Sequence, residues 1–429
     1  MREMKDSGIE WIGEIPKDWQ LHRAKTLFMQ RNSKGNKIEV LLSPTQKYGV
    51  VPQSQLEGVV QVKEDTNLQM FKTIHKGDFV ISLRSFQGGF EYSLHEGVCS
   101  PAYQVFYATT PICDLYYRYL FKSQSFISKM NNLTVGIREG KNIQYNDFAN
   151  SQIPVPPLAE QERIAAFLDA ECAEIDAVLE KTRASIEEYK KLKQAVITRA
   201  VTKGIRGNRP MKGSGIEWIG EIPAEWRKTQ LRHCATIKSG ITLGKKHEKG
   251  DNLIERPYLR VANVQGGYVD LSTLATIEVT AGEDLKYRLH AGDVLMTEGG
   301  DRDKLGRGCV WRGKIEPCLH QNHIFAVQTN KDVLLPEFLE NLTVSDVGRA
   351  YFDVTAVKTT NLACTSSTKV LSFAIPLPPI EEQTEIIDFG ETKCAGIDAL
   401  IEKKQKYLTE IENYKKSLIY EYVTGKKEV

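Results

Sequence analysis

The chain has 429 residues, of which 41% are hydrophobic and 26% charged, with a formal net charge of +2. That composition allows two or three domains with real cores and excludes a disordered polyelectrolyte. No apolar run approaches a membrane span and MREMKDSGIEW carries no signal-like apolar stretch, so no membrane partner and a cytoplasmic location are expected. Eight scattered cysteines fit a reducing compartment rather than a disulfide framework. The near-balanced charge does not by itself announce a nucleic-acid partner. Locally, Arg227 to Arg260 holds nine Lys/Arg against Glu248, Asp251 and Glu255, a distribution that suits phosphate binding or a solvated face equally.

The first segment, MKDSGIEWIGEIPKDW at 4–19, returns as MKGSGIEWIGEIPAEW at 211–226, with three of sixteen positions changed. Residues 20–150 then read as short β-branched runs bounded by Gly, Pro, Ser and Asn. IEVLLSP, YGVVPQS, EGVVQVKE and GDFVISLRS predict strands, and LYYRYLFKSQSFISKMNNL (115–133) predicts a helix. A proline-rich stop, IPVPPL (153–158), predicts an extended strap before a long helix. After the second frame, RPYLRVANV, GDVLMTE, GCVWRG and HIFAVQ predict strands and PEFLENLTVSDVGRAYF a helix. HAGDVLMT (290–297) echoes HKGDFVIS (75–82), which predicts a shared fold under diverged surfaces. IPLPPI (375–380) repeats the strap, and a second long helix follows.

Both helices carry a seam spaced by fours and threes. The first has Ile175, Leu179, Thr182, Ile186, Tyr189, Lys193, Val196 and Ala200; the second has Ile397, Ile401, Lys404, Leu408, Ile411, Lys415, Leu418 and Tyr422. About 45 residues at 1.5 Å rise give a helix on the order of 65 Å long, which needs a packed stripe to persist. Lysines weaken the two seams at the same places, so the natural partner of each helix is the other. The expected fold class is α+β: two globular mixed α/β units separated by two long helices that form an intramolecular antiparallel coiled coil, with a pseudo-twofold internal repeat. The segments are 1–152 and 205–374 for frame plus globular unit, and 153–204 and 375–429 for strap plus helix.

Catalytic signatures are missing from the sequence. VPPL and LPPI lack the polar and aromatic residues of a methyltransferase target-base motif, and no GxxxxGK[ST] phosphate loop occurs. SGITLGKK (239–246) has the wrong spacing, and GGDRDKLGRG (299–308) suits a charged loop better than a dinucleotide fingerprint. Cys309, Cys318, His320 and His323 could be drawn as a zinc set. Their spacing is poor, and buried cysteines with surface histidines explain them better.

Base edges are addressed by Arg or Lys for guanine and by Asn or Gln for adenine. On that ground two loops of the first unit are candidates for DNA contact: SPTQKYGVVPQS, with Gln46, Lys47, Tyr48 and Gln53, and SLRSFQGGF, with Arg84, Ser85 and Gln87. Arg138 and Lys141 add phosphate contacts. The second unit offers Thr242, Lys245 and Lys246; Arg260, Asn263 and Gln265; Arg302, Lys304 and Arg307; and Lys358 with Asn361. The frame tryptophans Trp11, Trp19, Trp218 and Trp226 pack the frame or dock a partner, and Glu160, Glu162 and Arg163 are either solvated or part of that docking face.

Two motifs, SGIEWIGEIPxxW and IPxPPxxEQ running into a long helix, each occur twice. With them the chain resembles the specificity subunits of Type I restriction-modification systems over essentially its whole length. The resemblance implies a non-catalytic subunit whose two variable units are target recognition domains, each reading one half of a bipartite, asymmetric site in double-stranded DNA. It implies helices that set the spacer and help dock two methyltransferase (modification) subunits, which restriction/translocase subunits then join. It implies no cofactor in this chain, S-adenosylmethionine being bound by the methyltransferase partner. The residues alone also allow a coiled-coil protein–protein scaffold that reads no DNA.

Overall fold

The structure, a computed structural model, describes the chain from residue 2 onward except 36–39, 57–67, 134–142, 245–247, 249, 301–304 and 359–362. It divides into two compact units, residues 1–183 with 406–429, and residues 184–405. Each unit therefore contains a frame segment, a globular domain and a length of both long helices. The helices span Leu158–Lys203 and Ile380–Val423.

Each frame folds as a small hairpin. Met4–Asp6 pairs antiparallel with Glu14–Pro16, and Met211–Gly213 pairs with Glu221–Pro223 in the same register. The strand that follows each hairpin pairs with the proline strap: Gln20–Arg23 with Gln152–Val155, and Arg227–Gln230 with Ala374–Leu377. The prolines sit in two-stranded ribbons, where a missing amide donor is tolerated.

The globular domains share a four-stranded antiparallel sheet. In chain segments its order is Phe28–Arg31, Gln104–Ala108, Phe79–Ile81, Glu91–Tyr92 in the first unit. In the second it is Ala235–Ser239, Ile324–Thr329, Val294–Thr297, Gly308–Val310. The echoed HxGD turn sits at the same place in both. Asp78 Oδ2 accepts from the His75 amide at 2.8 Å, and Asp293 Oδ2 from the His290 amide at 2.9 Å. The cores differ. Around Phe28 lie Phe79, Phe106 and Tyr117 at ring distances of 5.2–5.8 Å, mostly edge to face. The second core is more aliphatic, with Leu334, Phe338, Leu339 and Leu342 fully buried.

Several sequence expectations are refined. The helix expected over 115–133 is two, Asp114–Lys122 and Gln124–Leu133, broken at Ser123, whose hydroxyl caps Leu120 O. EGVVQVKE lies outside the described residues, and of IEVLLSP the strand takes only Leu42 onward.

The helices run antiparallel within each unit. In the first, Lys415 pairs with Asp176 and Arg183 with Glu412, both at 2.6 Å. In the second, Lys193 pairs with Asp398 at 2.6 Å, and Lys404 lies over the Tyr189 ring at 5.7 Å. Lys193 and Lys415 occupy equivalent places in the repeat, as do Asp176 and Asp398. Of the seam lysines, expected to be weak points, Lys193 and Lys415 each find an aspartate on the other helix and Lys404 finds an aromatic ring. Ile175, Leu179, Thr182, Ile186 and Leu418 are buried as the spacing predicts.

A candidate nucleic-acid interface and the frame latch

The short motif at the start of each long helix ties the helix to the frame and the strap. Glu160 Oε2 accepts from Trp19 Nε1 at 3.0 Å and from Arg2 Nη2 at 2.9 Å, and Arg2 also reaches Asp18 at 2.8 Å. In the second unit Glu382 accepts from Trp226 Nε1 at 2.8 Å and from Arg209 Nη1 at 2.6 Å, while Arg209 reaches Glu225 at 3.0 Å. Glu160 holds the Arg2 guanidinium well above its ordinary pKa. The glutamine beside each glutamate ties helix to strap and domain. Gln161 donates to Pro156 O and accepts from the Cys113 amide; Gln383 donates to Pro378 O and accepts from the Leu335 amide. A buried charge needs such full pairing.

This geometry corrects part of the docking expectation. Trp19 and Trp226 have no exposed surface, and Glu160 is buried. All three are spent inside the protein, leaving nothing for a partner to grip. Trp11 and Trp218 are partly buried against Phe126 at 5.9 Å and Tyr351 at 5.7 Å. Glu162 and Arg163 are exposed on the first helix.

Of the candidate contacts in the first unit, Gln46, Lys47, Tyr48, Arg84 and Gln87 are exposed. Lys47 lies 4.9 Å over the Tyr48 ring, and its pKa is raised by hydrogen bonding to Tyr48. Gln53 is half-buried in a single helical turn. Ser85 is buried, its hydroxyl accepting from the Ser82 amide at 2.7 Å, so it shapes the loop instead of facing solvent. Arg138 and Lys141 lie outside the described residues. Two expected loops, 43–54 and 82–90, come together: Gln46 Nε2 donates to Gln87 Oε1 at 3.3 Å.

In the second unit Thr242 and Arg260 are exposed, and Gln265 and Arg307 half-buried. Asn263 is buried and bonded through both ends of its amide. It accepts from the Arg260 amide at 2.8 Å and donates to Asp270 O and Thr273 O at 2.8 and 2.9 Å. It closes a turn and, buried with both amide hydrogens committed, does not face a base. Lys245, Lys246, Arg302, Lys304 and Asn361 lie outside the described residues; Lys358 ends a described strand, Val357–Lys358.

Cys309, Cys318 and His320 are buried and His323 is exposed, its ring 2.6 Å from Glu298. His320 is therefore not the surface residue expected. Burial lowers its pKa to about 4 and pushes the Cys309 and Cys318 thiols up to about 12. Among the described residues no group of three His, Cys, Asp or Glu could hold a metal ion. Nor is any described helix long and apolar enough to cross a membrane. Two buried acids stand out: burial raises Glu91 and Glu340 to about 7 each.

Sequence reasoning missed Arg2, Arg209, Gln161, Gln383, Glu91 and Lys122. The repeated EQ dipeptide was the available signal for the glutamines. The arginines precede the two frames at equivalent places.

Residues 16–188 match the family profile described as the Type I restriction modification DNA specificity domain. The chain is 26% identical over 314 residues to the Type I restriction enzyme EcoKI specificity subunit of Escherichia coli K12, covering 71% of this chain and 63% of that one. It is 26% identical over 320 residues to the MjaVIII specificity subunit of Methanocaldococcus jannaschii, covering 73% and 70%. The match thus spans less than two thirds of the E. coli relative. One chain of a structure on complex assembly and conformational transition of the type I R-M system aligns with a TM-score of 0.68 at 17% identity, over 95% of this chain and 98% of that one. The HsdS subunit from Thermoanaerobacter tengcongensis aligns with a TM-score of 0.50 at 16% identity, over 99% and 100%. These likenesses extend the fold to the whole chain. Residues 16–188 are thus similar to the Type I restriction modification DNA specificity domain, and the chain as a whole shares the fold of the two solved structures.

Proposed function

We propose that the chain is the sequence-specific DNA-recognition subunit of a Type I restriction-modification complex acting in the cytoplasm. Recognition domains within residues 1–152 and 205–374 each read one half of a bipartite asymmetric site in double-stranded DNA. The strap and helix segments 153–204 and 375–429 set the spacer and help dock two methyltransferase subunits, to which restriction/translocase subunits add. Methyl transfer and cleavage belong to those partners, S-adenosylmethionine binding the methyltransferase.

One observation carries the reading. The frame, the Trp–Glu–Arg latch and the four-stranded sheet are duplicated, whereas the loops on the two sheets are not. A constant support under two different loop sets is what independent reading of two half-sites requires, since loops on a rigid scaffold carry recognition. Gln46, Lys47, Tyr48, Arg84, Gln87, Thr242, Arg260, Gln265 and Arg307 are the described side chains placed to take part. Exchange of residues 20–150 for the equivalent segment of another family member tests it. One half-site of the selected duplex should change and the other persist, with binding that weakens steeply as salt rises. Change of both halves contradicts the modular reading. No duplex binding at all, in the assembled complex, favours the scaffold instead.

A further inference from the structure

The two loops of the first unit converge on a pair of amides. Gln46 sits on a turn fixed by the Thr45 hydroxyl, which accepts from the Tyr48 amide at 3.0 Å and donates to Gly49 O at 3.0 Å. Its side chain crosses Gly88 so closely that a Cβ there would lie 2.7 Å from Gln46 Cγ. Beneath the turn, Lys122 Nζ donates to Gln46 O at 3.4 Å and to Glu91 Oε2 at 2.6 Å, and the Glu91 side chain is only 2% exposed. Lys122 and Glu91 form an internal strut that holds the exposed turn on the sheet.

We propose that Gln87 reads one adenine in the half-site of the first unit, and that Gln46 is the positioning residue that sets its amide. The proposal rests on the DNA-recognition reading above and names a base within it. Gln46 Nε2 donates to one lone pair of Gln87 Oε1. That leaves Gln87 with a second Oε1 lone pair and both Nε2 hydrogens. In the major groove adenine offers the N6 amino group as donor and N7 as acceptor, which matches an amide presenting one acceptor and one donor side by side. Guanine offers two acceptors, O6 and N7, so the oriented Oε1 would face another acceptor. A well-oriented bidentate amide discriminates by roughly ten- to a hundredfold. Fixing the rotamer in advance removes the cost of ordering a glutamine side chain on binding.

The test is selection of bound duplexes from a randomised library by the full chain in its native complex, for wild type, Gln87→Ala, Gln87→Glu and Gln46→Ala. Wild type should select a split sequence with an adenine that Gln87→Ala releases by roughly ten- to a hundredfold while every other position is unchanged. Gln87→Glu should move that position toward cytosine, whose N4 amino group a carboxylate accepts. Gln46→Ala should weaken the same position alone, an effect that a general loss of fold would spread over the whole half-site. If wild type selects a split site and Gln87→Ala selects the same one, or releases a guanine or a pyrimidine, this inference is overturned and the DNA reading stands. If wild type selects no sequence, the DNA reading itself falls and takes the inference with it.

Discussion

Replacing Glu382 by alanine removes the single acceptor shared by the Trp226 indole and the Arg209 guanidinium. Glu382 is 1% exposed and Trp226 wholly buried, so water cannot substitute for the lost carboxylate. Breaking a buried pair strands the remaining charge at a cost of about 3–5 kcal/mol. Arg209 keeps Glu225 at 3.0 Å and Lys203 O at 2.9 Å, which favours the lower part of that range. Glu382→Gln leaves one acceptor oxygen where the carboxylate offers two, so the indole or the guanidinium meets an amide N–H instead, at a cost of about 1–3 kcal/mol. Trp226→Phe should cost about as much by the hydrogen bond alone. A chain of two units has no single unfolding free energy, so the assay is amide hydrogen exchange resolved along the sequence. In Glu382→Ala, protection should fall across 211–230 and 374–383 and hold across 4–23. Glu160→Ala should give the mirror pattern, since Glu160 binds Trp19 and Arg2 in the same way. A loss below about 1 kcal/mol would place the triad among surface ion pairs and refute the reasoning. So would loss of protection in the unit whose triad is intact.

Further outcomes follow from other parts of the molecule. Burial raises Glu340 from 4.5 to about 7, so its neutral form is favoured in the fold, and the stability it contributes is whole below pH 4.5 and lost as pH rises through 7. Glu340→Gln, which can still accept from the Val310 amide, should therefore gain on wild type by up to about 3 kcal/mol between pH 4.5 and 8 in urea titrations of the second unit; parallel pH profiles would contradict this. Truncation after Gln405 removes the helix length that buries Leu418 and Val423 against the first unit and supplies Val423 O to Tyr116. Exchange protection should collapse in residues 1–183 and persist in 184–405; equal loss in both would be unexpected. Gly425 ends the second long helix at φ +70°, and a Cβ there would lie 2.4 Å from Pro16 Cδ. Gly425→Ala should cost at least about 1 kcal/mol, seen as faster exchange in the first frame hairpin.

The long-period repeat made the architecture legible in the sequence: near-identical frames fold as matching hairpins, and the seams at 175–200 and 397–422 pair the two long helices. The lysines misled because a seam position was judged by its own polarity. The facing aspartate, Asp398 or Asp176, lies more than two hundred residues away and no local window contains it. The same limit applies to the interface. Gln46, Arg84 and Gln87 are exposed as expected, because loop residues of those types tend to face outward. Ser85 and Asn263 share that composition, yet their side chains close turns, a role set by backbone geometry. Trp19 was recognised as apolar, but its partner Glu160 reads in sequence like any solvated helix charge. Burial distinguishes them, and burial is a property of the assembled fold.

Sequencing of methylated adenines in a genome that carries this chain with its methyltransferase partner tests the recognition function most directly. The expected result is a split motif of two defined halves separated by a fixed gap, which disappears when the chain is deleted and changes in one half when residues 20–150 are exchanged. A contiguous motif, or an adenine methylation pattern indifferent to this chain, would contradict it.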